Sequence, residues 1–523
     1  MATTFGGFEI VQSALNAMQE AVDVTGNNIA NATTPGYTEE RAVLVSQPSV
    51  VQTGVGGPVN DAALGVGVNV SEVQQVSEAF LNAAVQNTQS NVSYQNQVVQ
   101  YLEDAQGLYN EPTANGLAAS MQTFFTDLST LATNPQSSAA RSVVAQDAAT
   151  LADGFNALAQ GLGGLTSALE NDVSVQVGQV NQDLTQVASL NQQIANAQIQ
   201  GTQPNSLIDQ RSQILGALSQ AMGITVGSDS AGNLTVTDAS TGALLVDGQE
   251  AGSLTVPTAT PWQVVEQGLP TTPAGTTPAP TAADITSGQI GADLNLLGST
   301  AYGAGVTPPN TFGALAPAGT TAYAQSLQGQ LDQVASALAT AVNALQMPTG
   351  SGAQPAYYLN AQGAPTSTAP STANPTGVPF FINAQDTSQT VPPSGITAAT
   401  IAVNPAVLAS PYAIAAAQSA NASDGSNAQA MADLGQSTVA GAAVPLYDAQ
   451  VSALGVVVEG AQSDQTTAQS QLTQAQNMQE SVSGVSINAE VANMTQYEDV
   501  YTAAAKALSA MQTMLQSLLS AVQ

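Results

Sequence analysis

Both ends of the chain carry apolar or small residues at alternating steps of four and three. Near the start they are Val11, Leu15, Met18, Val22, Thr25 and Ile29. Near the finish they are Met494, Tyr497, Tyr501, Ala504, Leu508, Met511, Leu515, Leu518 and Val522. This alternation is the seam period of helices that pack side by side. A single apolar stripe on an isolated helix is unsatisfied in water. Two such stripes at opposite ends of one chain most simply pack on each other, or on copies of themselves.

The interior repeats the helical theme. Leu81, Val85, Thr88, Val92, Gln95, Val99 and Leu102 keep the same seam, weakened at Thr88 and Gln95. A run from about 139 to 200 carries Leu151, Phe155, Leu158, Leu162, Leu169, Val173, Val180, Leu184 and Ile194, with Gly161, Gly163 and Gly164 placed to kink or split it. "PNSLIDQRSQILGALSQAMG" reads as a helix capped by Asn205 and stopped at Gly223. From Ile224, short β-branched runs alternate with Gly, Asn and Asp, the pattern of hairpins. The fold class expected is mainly α: a long-helix coiled-coil bundle formed from the N- and C-terminal segments, with a small β-rich inserted domain. The divisions expected are 1–32 and 484–523 as paired terminal helices, and 33–223, 320–346 and 425–483 as the helical bundle. The β-rich insertion takes 224–319, and 347–424 is a Pro/Ala/Ser/Thr-rich irregular segment. Asn488 is the expected cap of the last helix, with Glu490 in its first turn.

Charge removes several functions. Four basic residues, Arg41, Arg141, Arg211 and Lys506, stand against 36 carboxylates, a formal charge of −32. Phosphate backbones and anionic lipid surfaces would be repelled, so neither nucleic acid nor membrane is expected as a partner. An acidic external medium would relieve the self-repulsion by protonating carboxylates. There is no Cys and no His, so disulfides, thiolate or imidazole catalysis and Cys/His zinc sites are excluded. The adjacent acids Glu39-Glu40, Glu103-Asp104 and Glu498-Asp499 read as solvated faces rather than a glycosidase pair. "SDSAGN" reads as a hairpin turn, since it lacks the ligand ladder and closing Glu of a calcium loop. No cofactor, no metal and no enzymatic activity are expected. The start "MATTFGGFEIVQSAL" has no cationic stretch followed by an apolar run, so no cleaved signal peptide is expected.

Where the first helix fades, the chain reads "DVTGNNIANATTPGYT". The amides of Asn27, Asn28 and Asn31 can satisfy free carbonyls at the helix end. Pro35-Gly36 suits the central positions of a type II turn, and Tyr37 follows as an amphipathic anchor. Locally this is a helix C-terminus and a turn. Asp209 and Arg211 are candidates for a structural ion pair between helices or subunits, the null being an exposed pair contributing roughly 0–1 kcal/mol.

"NNIANATTPGY" closely resembles the N-terminal signature of the axial proteins of the bacterial flagellum, the rod, hook and hook-associated proteins. "SGVSINAEVANMTQYEDVYTAAAKALSAMQTMLQSLL" resembles their closing helix. The blocks "PNSLIDQRSQILGALSQAMGITV", "IAVNPAVLASPYAIAAAQSA", "SDGSNAQAMADL" and "SVSGVSINAE" are similar to the hook-filament junction members of that family. The resemblance implies a structural protein that self-assembles into a helical tube, its terminal helices innermost and its β domain outward. It implies hook protein on one side and the next junction protein on the other. It further implies passage through the flagellar type III export apparatus with an export chaperone, and an extracellular location. In that setting Asn28, Asn31, Pro35, Gly36 and Tyr37 form the turn between shells. The alternatives are another axial protein, hook or distal rod, or a secreted coiled-coil adhesin or binding module using the β insertion.

Overall fold

A computed structural model describes residues 2–47, 67–229, 232–257, 264–270, 281–283, 285–298, 323–347, 356–360, 364–367, 378–386, 393–439 and 441–522. The protein is 66% helical with a few small sheets, the mainly α class expected. The chain opens with α1 (Ala2–Asn31), then a ribbon of β1 (Glu40–Ser46) and β2 (Val68–Gln75), paired antiparallel with a register shift between Val43 and Leu44. Three helices follow: α2 (Ala79–Tyr109), α3 (Leu117–Thr133) and α4 (Ser138–Ile199). The ribbon lies inside the stretch 33–223 expected to belong to the helical bundle. Its alternation is short and lies between two strong helical patterns.

The 62 residues of α4 run about 93 Å at 1.5 Å per residue, making it the spine of the bundle. Ser137 caps it, its Oγ accepting the Ala140 N–H at 3.2 Å. The Gly161, Gly163 and Gly164 cluster expected to interrupt this helix does not. Leu158, Leu162 and Leu169 are buried on the neighbouring turns and hold the helix through it. At Gly161 a Cβ would meet Leu108 Cδ2 at 3.0 Å, so this glycine lets α2 approach closely. The run continues into α5 (Asn205–Ala221).

Next come β3 (Ile224–Ser228), β4 (Leu234–Asp238), β5 (Leu244–Asp247) and β6 (Glu250–Ala251) in one antiparallel sheet, then β7 (Ser253–Thr255), β8 (Val264–Gln267) and β9 (Thr281–Ala283) in another. The turn in "SDSAGN" has Asp229 Oδ1 accepting the Asn233 N–H at 2.7 Å. Both sheets lie against α4. Asn181 grips β7 at both backbone polar groups: its Nδ2 donates to Leu254 O at 2.8 Å, and its Oδ1 accepts the Leu254 N–H at 2.7 Å. α6 (Gly288–Leu297) is then buried almost throughout, between α2 and α4.

α7 (Tyr323–Gln346) returns to the bundle, burying Leu327, Leu331, Val334, Leu338 and Val342. Where described, the segment expected to be irregular is folded. β10 (Tyr358–Leu359) pairs with β11 (Pro365–Thr366), and β12 (Phe381–Asn383) with β13 (Ile401–Val403). α8 (Pro405–Ala409) is capped by Asn404. Phe380 and Phe381 are fully buried against Phe124 of α3, with ring centroids 5.8 and 5.9 Å away. α7 supplies the missing strand partners through amides. Asn343 Oδ1 accepts the N–H groups of Phe380 (2.7 Å) and Phe381 (3.0 Å), and its Nδ2 donates to Phe381 O at 2.8 Å. The Gln346 amide likewise reaches Val378 O, Ala413 O and Ala415 N–H.

The last elements are α9 (Ser426–Asp433), α10 (Ala443–Ser483), which packs along α2, and α11 (Ile487–Val522), which packs along α1. Asn488 is not the cap expected for α11. The helix begins one residue earlier, and the Glu490 N–H bonds Ser486 O at 2.9 Å.

Candidate assembly interface

α1 and α11 form an antiparallel arm. A Cβ on Gly7 would lie 3.3 Å from Met511 Cε, and one on Gly26 would lie 3.9 Å from Met494 Cε, so the two ends of the pair are fixed by different glycine–methionine contacts. Val11 and Met18 are buried; Leu15, Val22 and Ile29 are half-buried. On α11, Met494, Tyr497, Leu508 and Met511 are half-buried, while Tyr501 and Leu515 are 41% and 39% exposed. The Leu518 side chain lies outside the described residues. The β1–β2 ribbon covers a further face of α1, where Ala17, Met18 and Val70 form a small core with Val73 and Tyr497 at its edge.

The arm leaves much apolar surface exposed, part of it at its own seam positions. Among the described residues of α11 only Glu490 is buried, and Val491, Val500, Tyr501, Met514, Leu515 and Leu519 are all exposed. α10 has a comparable length and buries Tyr447, Leu454, Val457 and Leu472. A helix with so much apolar surface in water is an interaction surface rather than a finished element.

At the arm root the polar turn takes shape. Asn31 Nδ2 donates to Asn27 O at 3.1 Å, satisfying a carbonyl at the helix end. Pro35 and Gly36 occupy the centre of a turn closed by the Tyr37 N–H on Thr34 O at 3.2 Å, with Gly36 at φ +80° as position i+2 of a type II turn requires. Asn28 does something else. Its Nδ2 donates to Glu40 O at 2.7 Å, and its Oδ1 accepts both the Glu40 N–H at 2.9 Å and the Tyr37 hydroxyl at 2.8 Å. A buried amide on α1 thus starts β1 by pairing both polar groups of Glu40. Burial, with Glu40, Asp209 and Glu490 nearby, raises the Tyr37 hydroxyl above its ordinary range, so Tyr37 stays a neutral donor. Glu490 faces the same spot. Burial and the Glu39 charge raise its carboxyl, and Asn28 and Thr25 oppose them by hydrogen bonding.

α5 fastens this root to the bundle. Gln213 Nε2 donates to Pro35 O at 3.0 Å, and Asn205 Nδ2 to Val73 O at 3.0 Å. Asn205 is therefore a link to β2 rather than the cap expected of it; Pro204 precedes the helix. Asp209 and Arg211 do not pair with each other. Residues two apart on a helix point to opposite sides. Asp209 Oδ1 accepts from Gln75 Nε2 at 2.8 Å, and Arg211 donates to Asn191 Oδ1 at 2.8 Å. Burial raises the Asp209 carboxyl and lowers the Arg211 guanidinium. The ion pair that does form among the described residues is Arg41–Glu39, at 2.9 Å. Gln75, and the partners that Thr25, Asn28 and Glu490 find, escape sequence reasoning, because each bonds an element remote in the chain.

The arm and the bundle each match known proteins. Residues 102–351, from the end of α2 through α7, match the family model for the flagellar hook-associated protein FlgK helical domain. Residues 8–38, α1 and its turn, match the model for flagella basal body rod protein. Flagellar hook-associated protein 1 of Escherichia coli (strain K12) is 28% identical over 97% of this chain and 98% of its own. The chain is thus similar to flagellar hook-associated proteins through its helical bundle and, at lower identity, over nearly its whole length. The protein of the same name from Bacillus subtilis (strain 168) is 32% identical over 232 residues, 44% of this chain and 46% of that one, so there the match spans about half of the relative's length. A solved structure described as the flagellar hook junction protein FlgK from Burkholderia pseudomallei shares the fold, with a TM-score of 0.51 and 19% identity over 77% of this chain and 100% of that one. The match through 102–351 is to a hook-associated helical domain, whereas the match through 8–38 is to a rod-protein model. No helix among the described residues is long and apolar enough to cross a membrane.

Proposed function

We propose that this chain is a structural, non-enzymatic subunit of the bacterial flagellum that joins hook to filament by polymerising through its α1–α11 arm. The observation that carries this reading is the exposed apolar residues of α11, where the other long helices of the bundle bury theirs. Copies pack arm against arm into a tube, with hook protein on one side and the next junction protein on the other. The inter-shell turn at Asn28, Asn31, Pro35, Gly36 and Tyr37 leads the chain from the arm to the bundle. The β-rich part lies outward of the bundle. The chain reaches the cell exterior uncleaved, through the flagellar type III export apparatus and with an export chaperone. Deleting the gene and imaging the cell surface by electron microscopy tests the reading. Hooks without filaments, with filament subunits shed into the medium, are the expected outcome. Normal filaments on the deleted strain would refute it.

A further inference from the structure

The four cations of this chain have different fates. Arg41 pairs with Glu39. Arg141 is buried and donates to the carbonyls of Pro135, Pro411 and Ile414. Arg211 bonds Asn191. Lys506, on α11, is exposed, and the structure gives it no hydrogen bond or ion pair among the described residues. Its own helix offers no carboxylate three or four residues away: Thr502, Ala503, Ser509 and Ala510 stand there. In a chain of net charge −32, an unmatched ammonium is the scarcest group on the surface.

At the arm root a cleft of about 300 Å³ opens between α1, β1 and α11, lined by Thr25, Glu39, Glu40, Arg41, Glu490 and Tyr497 among others. Three carboxyl groups and one guanidinium make it acidic. Lys506 follows Glu490 by sixteen residues, so it lies about 24 Å further along α11 and about 160° around it. The cleft and the lysine therefore sit on nearly opposite sides of one helix. A two-fold contact would need both groups on one shared patch, and opposite sides of one helix do not provide it. A contact between them must be head-to-tail, and head-to-tail contacts propagate into rings or helical tubes.

The geometry points to a contact in which Lys506 of one copy enters the acidic arm-root cleft of the next, with the two copies offset by about 24 Å along the arm. This rests on the reading that copies polymerise through their arms. Copies this acidic repel one another, and a lone ammonium seated among carboxylates sets their register while the exposed apolar residues of α11 supply contact area.

The test complements a strain lacking the gene with full-length variants, after checking that each is secreted. Lys506→Gln is expected to cut the number of filament-bearing hooks at least about tenfold, as loss of a partly desolvated charge pair repeated between copies requires. Lys506→Arg is expected to retain most of them. Lys506→Glu combined with Glu40→Lys is expected to recover filaments that Lys506→Glu alone loses. Because the chain has no cysteine, co-expressed Lys506→Cys and Glu40→Cys copies can be joined by a short bis-maleimide. They are expected to crosslink, whereas Lys506→Cys with Asp104→Cys, on the exposed side of α2, is not. Wild-type behaviour of Lys506→Gln overturns the contact. So does a defect in Lys506→Gln without the Lys506–Glu40 crosslink, which would place the lysine on another surface. Failure of the wild-type gene to restore filaments would overturn the assembly reading itself.

Discussion

Asp293 offers a direct measure of how this chain stabilises itself with so few cations. It sits on α6 with no exposed surface, accepting from Gln97 Nε2 of α2 at 2.6 Å and Gln176 Nε2 of α4 at 3.0 Å. The same Gln97 amide also reaches Asp172 at 3.2 Å. Burial, with the Asp172 charge adding to it, raises the Asp293 carboxyl from the ordinary 3.8 to about 7, against the two amide hydrogen bonds. The folded state thus holds this proton more tightly than the unfolded chain does. Its stabilising effect is complete below pH 3.8 and is lost as pH rises through about 7. At ~1.4 kcal/mol for each pH unit, that window removes roughly 4 kcal/mol, a large part of a typical stability of about 5–15 kcal/mol. Asp293→Asn is neutral at every pH. Its new N–H groups have an acceptor in Gln176 Oε1, which is buried without a hydrogen-bond partner and needs only a half-turn of its amide. Urea denaturation followed by circular dichroism at pH 4 to 8 is expected to give similar stabilities for both proteins at the acid end. By pH 8 the variant is expected to be more stable by roughly 3 kcal/mol. Parallel curves, or a variant weaker at pH 8, would refute the reasoning.

Three further outcomes follow from named contacts. Asn343→Leu strips the partners from Phe380 N–H, Phe381 N–H and Phe381 O inside the core; it is expected to cost about 3 kcal/mol or more, read as a fall in the thermal midpoint. Arg141→Met removes the donors of the Pro135 and Ile414 carbonyls, while Pro411 O keeps the Ile414 N–H, with a similar expected loss. Arg141→Lys, whose single nitrogen replaces two separated donors, is expected to recover only part of it, and equal stability of the two variants would count against the account. Gly36→Val forces a β-branched residue to φ +80° and puts a Cβ 2.7 Å from Gln213 Nε2; filament attachment is expected to fail while the main unfolding transition holds, and normal attachment would remove the turn's role.

The long helices were legible because each buries a regular stripe: Leu327 to Val342 on α7 and Leu151 to Ile194 on α4 repeat at helical spacing, and burial follows the repeat. The hairpins after Ile224 were legible because turn residues separate β-branched runs. What escaped was held by single polar contacts with remote elements. β12 is three residues long, pairs only with the three-residue β13, and is further held by Asn343, nearly forty residues earlier. α4 survives three glycines because its buried leucines outweigh their propensity cost of about 1 kcal/mol each. Asp209 and Arg211 drew attention as a charged pair. Helix geometry sends them to separate neighbours, and charge proximity in sequence says nothing of that. At the arm root, the turn itself was readable from Pro35-Gly36, but Asn28's hold on Glu40 was not.

These misses share a physical cause. A chain with four cations and 36 carboxylates cannot join its helices to its strands with ion pairs. It uses amides instead, because one carboxamide carries both a donor and an acceptor and can satisfy both polar groups of a strand residue. Asn28 does this for Glu40, Asn181 for Leu254 and Asn343 for Phe381. Buried carboxyls follow the same logic by keeping protons: burial and Asp147 raise Asp127 to about 6, and burial and Asp238 raise Glu266. Both shifts act in the direction argued for Asp293, so the bundle gains stability as the medium turns mildly acidic, where the surface charge that opposes packing of copies also falls. An amide link is neutral and indifferent to that change. The elements that position the arm therefore keep their geometry across the pH range in which the carboxyls titrate.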